Sequence, residues 1–237
     1  MIPFGDVNPT RRRPILTYLL IVANIVDFAW QLSLTEDDME RIFYTHSVVP
    51  IVVSHNLFTW DTFLDIFRSM FFHGSLLHIG GNMLYLYIFG DNIEDRFGRF
   101  WYLFLYIVSG FSAALAQVAV DPNSPIPLIG ASGAIAGVLG SYVLLYPGAK
   151  VRGILFLGIF ARLTVLPAWI VLGFWFALQV FSGVMGLGME ANGEGGVAFF
   201  AHIGGFVAGV VLTVFLRTIK SDPRDEIYDI PGRYGLQ

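Results

Sequence analysis

Long apolar runs separated by short polar segments set the pattern of this chain. Six are predicted to cross a hydrocarbon layer of about 30 Å: Pro14 to Leu34, Leu76 to Phe89, Phe100 to Val120, Ala131 to Tyr146, Val165 to Val184 and Ala198 to Leu216. Between Thr35 and Phe72 the apolar pieces are too short to span, and Glu36, Asp37, Asp38 and Glu40 give an acidic start. Amphipathic clusters such as Trp60 to Phe67 there predict helices lying at the membrane interface, within a structured outer loop. Pro147-Gly148 ends the fourth run and Pro167 opens the fifth. Ile154 to Phe160 is apolar but short, and is read as an inner-face or re-entrant stretch rather than a seventh span. Gly186 to Gly196, with five glycines, reads as a flexible cap or as a plain linker.

Composition agrees with the pattern: 55% of the 237 residues are hydrophobic and 14% charged. The net charge of -4 has no basic patch within it, which argues against nucleic acid as a partner. With no cysteine, disulfides, thiolate catalysis and zinc-thiolate sites are excluded. The first run follows Arg11-Arg12-Arg13. It is too long for the core of a signal peptide and no small-residue cleavage site follows it, so it is read as a retained span. Placing the N-terminus inside puts twelve of the fourteen Lys and Arg residues on the inner side, leaving only Arg41 and Arg68 outside. The expected fold is therefore an all-α polytopic membrane protein of six spans, with one membrane domain over 1–220, a polar cytoplasmic tail over 221–237 and both termini inside.

The polar residues within the runs carry the chemistry. Ser132 lies in Gly130-Ala131-Ser132-Gly133-Ala134-Ile135-Ala136-Gly137, at the outer end of the fourth run. Small residues there also suit close helix packing, so packing and nucleophile are competing readings of that stretch alone. His202 falls near the outer end of the sixth run, whose Gly205 and Gly209 predict close approach to the small face of the fourth. His78 and Asn82, four apart, share one face at the outer end of the second run. Burying an imidazole and an amide in a span is costly unless they face partners or water. Serine needs a base to become a nucleophile, which an imidazole supplies, and an acyl-transfer intermediate needs donors aimed at its oxyanion. Asp27, near the outer end of the first run beside Trp30, is expected to be an interfacial or pore-facing structural residue.

The stretches HGSLLHIGGN, GASGAIAG and VAFFAHIGG resemble the three signature segments of rhomboid intramembrane serine proteases of the minimal six-span form, in the right order and on the right spans. The similarity runs from Asn8-Pro9-Thr10-Arg11-Arg12 through FGDNIEDRFG to Gly209. The resemblance implies Ser132 as nucleophile and His202 as general base. It also implies an oxyanion hole made of His78, Asn82 and the Ser132 backbone N–H. His73 matches the first histidine of the second-span motif, with a hydrogen-bonding structural role. Glu94 resembles the family acid that braces the loop after the first span. Ala136 stands where some relatives have a tyrosine stacked on the histidine, and no Asp is evident as a third triad member, so the partner that orients His202 is left open.

The implied function is hydrolysis of peptide bonds in or near transmembrane segments of protein substrates, within the lipid bilayer and without metal or cofactor. A catalytically idle rhomboid-like protein that binds transmembrane segments is the alternative. A transporter or proton channel is disfavoured because no paired acids cross the midplane and no inverted repeat is evident. The location expected is a bacterial or archaeal plasma membrane, because no transit peptide is recognised. Oligomeric state and substrate are not readable.

Overall fold

The computed structural model describes residues 1–157, 160–186 and 198–220, with the backbone alone at Leu157. In chain order its elements are β1 (Ile2–Asp6), α1 (Ile15–Gln31), α2 (Glu36–His46), α3 (Pro50–Val53), α4 (Trp60–Ser69), α5 (Leu76–Phe97), α6 (Arg99–Val120), α7 (Ser132–Leu145), β2 (Lys150–Leu157), β3 (Phe160–Pro167), α8 (Ala168–Gly186) and α9 (Phe199–Ile219). Each of the six predicted runs thus contains a helix. Three of these, α6, α8 and α9, are long and apolar enough to cross a membrane, while α1 and α7 are shorter apolar helices of 17 and 14 residues. The sixth, α5, outruns its apolar stretch and ends in Asp91, Glu94, Asp95 and Arg96.

A small sheet corrects the all-α expectation. Its three strands run antiparallel in the order β1-β2-β3, with Ile2 opposite Ile154 and Lys150 opposite Pro167. Of the stretch read as an inner-face or re-entrant segment, Ile154 to Leu157 and Phe160 are strand residues of β2 and β3, and Val165 to Pro167, assigned to the fifth span, belong to β3. Ladder pairing there satisfies backbone groups that a lone short apolar segment would leave open. The fifth helix starts directly after Pro167.

At the centre of the bundle lies α7, buried from Gly133 through Tyr142. It packs against both α6 and α9, which also pack against each other. The contact with α9 is set by missing side chains: a Cβ on Gly205 would overlap the Gly133 carbonyl, and one on Gly209 would overlap that of Gly137. This is the close approach expected between the fourth and sixth runs.

Ser132 opens α7, and the sheet follows the other end of that helix. The site end of the bundle is therefore opposite the sheet. The outer loop folds as α2, α3 and α4 and clamps the segment that leads into Ser132. Leu128 N–H donates to the Val48 carbonyl at 2.7 Å, and Gly130 N–H donates to the Ser69 carbonyl at 2.8 Å. Of the expected cap only Gly186 is described, and the expected tail lies outside the described residues.

Candidate active site

A strained turn delivers the serine. Gly130 has φ +122, a conformation that side chains rarely adopt, and Ala131 caps the helix that Ser132 begins. The first N–H groups of α7 have no partner one turn back, so they point toward the open end of the helix. Ser132 itself is half-buried, and its Oγ lies 2.8 Å from His202 Nε2. Two side chains seventy positions apart meet because α7 and α9 pack backbone to backbone.

His202 Nδ1 lies 2.8 Å from Gln179 Oε1 on α8. An amide oxygen only accepts, so the Nδ1 proton is donated to it and Nε2 is left with its lone pair toward Ser132. The Trp175 ring flanks the imidazole, with centroids 5.8 Å apart and planes tilted by 38°. On the other flank of α9, Gln117 Oε1 of α6 accepts the Ala201 N–H at 3.2 Å.

His78 and Asn82 border the turn before the serine. A Cβ added to Gly130 would sit 2.7 Å from His78 Nε2 and 3.6 Å from Asn82 Nδ2, so both side chains face the entry to Ser132. Asn82 is buried and its Nδ2 lies 2.9 Å from His73 Nε2. His73 is wholly buried, and its Nδ1 donates to the Phe71 carbonyl at 2.9 Å. That bond fixes Nε2 as the acceptor of one Asn82 amide proton and leaves the second proton of the same amide for another acceptor. The backbone of His73 is held in turn: its N–H donates to Gln31 Oε1 at 3.2 Å, and Gln31 Nε2 donates to Asp27 Oδ2 at 2.5 Å. Asp27 therefore sits behind the site as a structural residue, reaching it through Gln31.

Ser132, His202, His78 and Asn82 are thus brought together, with His73 directly behind Asn82. Glu94 is not part of the group. Its carboxylate accepts from Leu16 N–H at 3.0 Å, Thr17 N–H at 2.8 Å and Thr17 Oγ1 at 2.9 Å, at the start of α1. The expected brace of the loop after the first span is corrected accordingly. Glu94 lies near the C-terminal end of α5, about 18 Å along the helix from Asn82 at 1.5 Å per residue, beside the end of α1 that points away from that loop. Gln179, Trp175, Gln117 and Gln31 are missing from the sequence reading, although an amide in an apolar run was the available signal for the glutamines.

A rhomboid domain model matches residues 59–219, which is more than half of the chain. The chain belongs to the rhomboid family. With its apolar spans, this rhomboid is an integral membrane protein. It is 27% identical over 190 residues to rhomboid-like protein 11, chloroplastic, of Arabidopsis thaliana, covering 79% of the chain and 63% of that relative. To rhomboid protein 1, mitochondrial, of Saccharomyces cerevisiae it is 28% identical over 179 residues, covering 72% of the chain and 47% of the relative. To the rhomboid protease GluP of Bacillus subtilis it is 27% identical over 198 residues, covering 83% of the chain and 34% of the relative. The rhomboid thus spans between about a third and just under two thirds of these relatives' lengths.

Proposed function

We propose that this rhomboid is an intramembrane serine endopeptidase that cleaves transmembrane-segment substrates through a Ser132–His202 dyad. The observation that carries the reading is the 2.8 Å contact between Ser132 Oγ and His202 Nε2, at the half-buried end of α7. In this mechanism His202 takes the hydroxyl proton as Oγ attacks the carbonyl carbon of the scissile bond. Charge that develops on the carbonyl oxygen is met by the free Asn82 amide proton, the His78 ring and the Ser132 backbone N–H. The imidazolium then gives its proton to the leaving amine, and water hydrolyses the acyl-enzyme by the same base.

The proposed setting is a six-span membrane domain over 1–220, built from α1 and α5 to α9. The inner side carries both termini and the sheet, and the site opens outward. The twelve-to-two distribution of cations supports that orientation. Substrate enters laterally past α8, the least buried of the three long apolar helices, and unwinds locally to expose a peptide bond. The similar proteins named above are chloroplastic, mitochondrial and bacterial, and they do not support the expected prokaryotic location.

The experiment is cleavage of a model single-span substrate by purified protein in lipid vesicles, comparing wild type with Ser132→Ala and His202→Ala. Loss of cutting in both folded variants is expected. Undiminished cutting by Ser132→Ala would refute the dyad. A wild type that neither cuts nor reacts with a fluorophosphonate probe would move the protein to the idle, segment-binding class.

A further inference from the structure

The proposed dyad has two members, and a lone imidazole is an incomplete base. Unless something accepts a proton from Nδ1, the ring is free to carry its proton on Nε2, where it faces the serine and cannot take the serine's proton. Rotation about the side-chain bonds must also be stopped, or the 2.8 Å contact is only one of several rotamers.

Resting on the dyad reading, we infer that Gln179 of α8 is the positioning residue that fixes the tautomer and rotamer of His202, with Trp175 as the aromatic wall beside it. Its Oε1 stands 2.8 Å from Nδ1, on the side of the ring opposite Ser132. Its Nε2 points toward the Trp175 carbonyl one helical turn back, at 3.5 Å, with the oxygen turned to the histidine. Among the described residues, the ring nitrogens of His202 bond to Gln179 and Ser132 and to no carboxylate. The Trp175 ring stands beside the imidazole, with centroids 5.8 Å apart.

Position strengthens the inference. From Ala168 to Gly186 the helix is apolar apart from Gln179, Ser182 and two tryptophans, and it packs on the bundle with few buried residues. An amide placed there without a partner carries an uncompensated desolvation cost, and the partner it has is the base. A neutral acceptor also differs from the carboxylate of a serine triad. It directs the tautomer, but it gives less stabilisation to the imidazolium formed when Ser132 attacks.

The test uses the full chain in lipid vesicles with the same single-span substrate and three variants: Ser132→Ala, Gln179→Leu and Gln179→Glu. Gln179→Leu should lower kcat about 10- to 100-fold, less than the about 10⁴-fold cost of a wrong histidine tautomer in Ser-His-Asp enzymes, with KM and unfolding temperature held. Gln179→Glu, which keeps an acceptor oxygen at the same reach, should restore most of that loss. Labelling of Ser132 by a small fluorophosphonate should slow in parallel in Gln179→Leu. That readout needs no lateral entry of substrate, so it separates positioning of the base from any effect on α8 as the entrance wall. Wild-type kcat and labelling in Gln179→Leu, a change confined to KM, or a Glu variant as slow as the Leu variant would each overturn the inference while the dyad stands. Cutting that survives Ser132→Ala removes the dyad and the inference with it. If Gln179→Leu does not fold, NMR of isotope-labelled imidazole in the wild type decides: a proton on Nδ1 of His202 is expected, and a proton on Nε2 overturns the assignment.

Discussion

Replacing Glu94 should unfold this rhomboid more easily without touching its chemistry. The side chain is 4% exposed, and its two oxygens take three hydrogen bonds from the first turn of α1, two from N–H groups and one from the Thr17 hydroxyl. These N–H groups have no carbonyl one turn back, so the carboxylate caps the helix from another element. The Arg99 contact adds little, being 3.7 Å long with the arginine side chain 62% exposed. Glu94→Ala strands three donors, each costing about 1–3 kcal/mol when buried. Because the Leu16 N–H is only part-buried, the net loss works out at about 3–5 kcal/mol. Glu94→Gln keeps one acceptor oxygen and turns an NH₂ toward donors, for a loss of about 1–3 kcal/mol. At about 2–4 °C per kcal/mol for a chain of this size, the alanine variant should unfold about 10 °C earlier in detergent, with the glutamine variant between it and wild type. Cleavage per folded molecule should stay within about twofold below the transition, because the altered site is about 18 Å along α5 from Asn82. An unchanged unfolding temperature in Glu94→Ala would refute the capping role. Lost cleavage at an unchanged temperature would show that the acid belongs to the site after all.

Two further outcomes follow from the geometry. Asn82→Ala removes the donor that His73 aims, so kcat should fall about 10²- to 10³-fold with KM nearly held; steady-state cleavage in vesicles measures both, and an unchanged kcat would exclude Asn82 from the oxyanion hole. Asp6, in β1 outside the spans, accepts a hydrogen bond from Tyr142 Oη and is raised above its ordinary 3.8 by desolvation, with the Tyr142 bond opposing. A carboxyl raised by folding favours the native state most below its unfolded pKa, and that contribution is lost as pH climbs through the folded value. Wild-type unfolding temperature should therefore drop relative to Asp6→Asn as pH rises from about 4, and parallel profiles for the two proteins would sink the assignment.

The apolar helices were legible because run length in hydrocarbon is a one-dimensional property. The sheet was not. Lys150 to Pro167 lacks strict alternation, and one of its three strands comes from Ile2 to Asp6, nearly 150 positions away, so no local window contains the pairing. Ser132 and His202 stood out together with His78 and Asn82, because polar groups at one end of three apolar runs are harder to explain by packing than any one of them alone. Glu94 was recognised as a bracing acid, but which N–H groups it braces depends on how α1 leans on α5, and that is settled by packing. Gln179 shows the remaining gap most clearly, since it was visible in the sequence and passed over. A search for acids, histidines and serines looks for groups that can react. In a membrane the stronger constraint is that no amide can be left alone. Gln31, Gln117 and Gln179 each lie in an apolar helix, and each accepts a hydrogen bond from the segment that carries His73, Ala201 or His202. The three glutamines converge on the two histidine-bearing segments because, in this bundle, those segments offer N–H groups that the helices do not use. Treating every intramembrane amide as half of a pair, and asking which polar groups at the same depth lack a partner, brings Gln179 to His202 from the sequence.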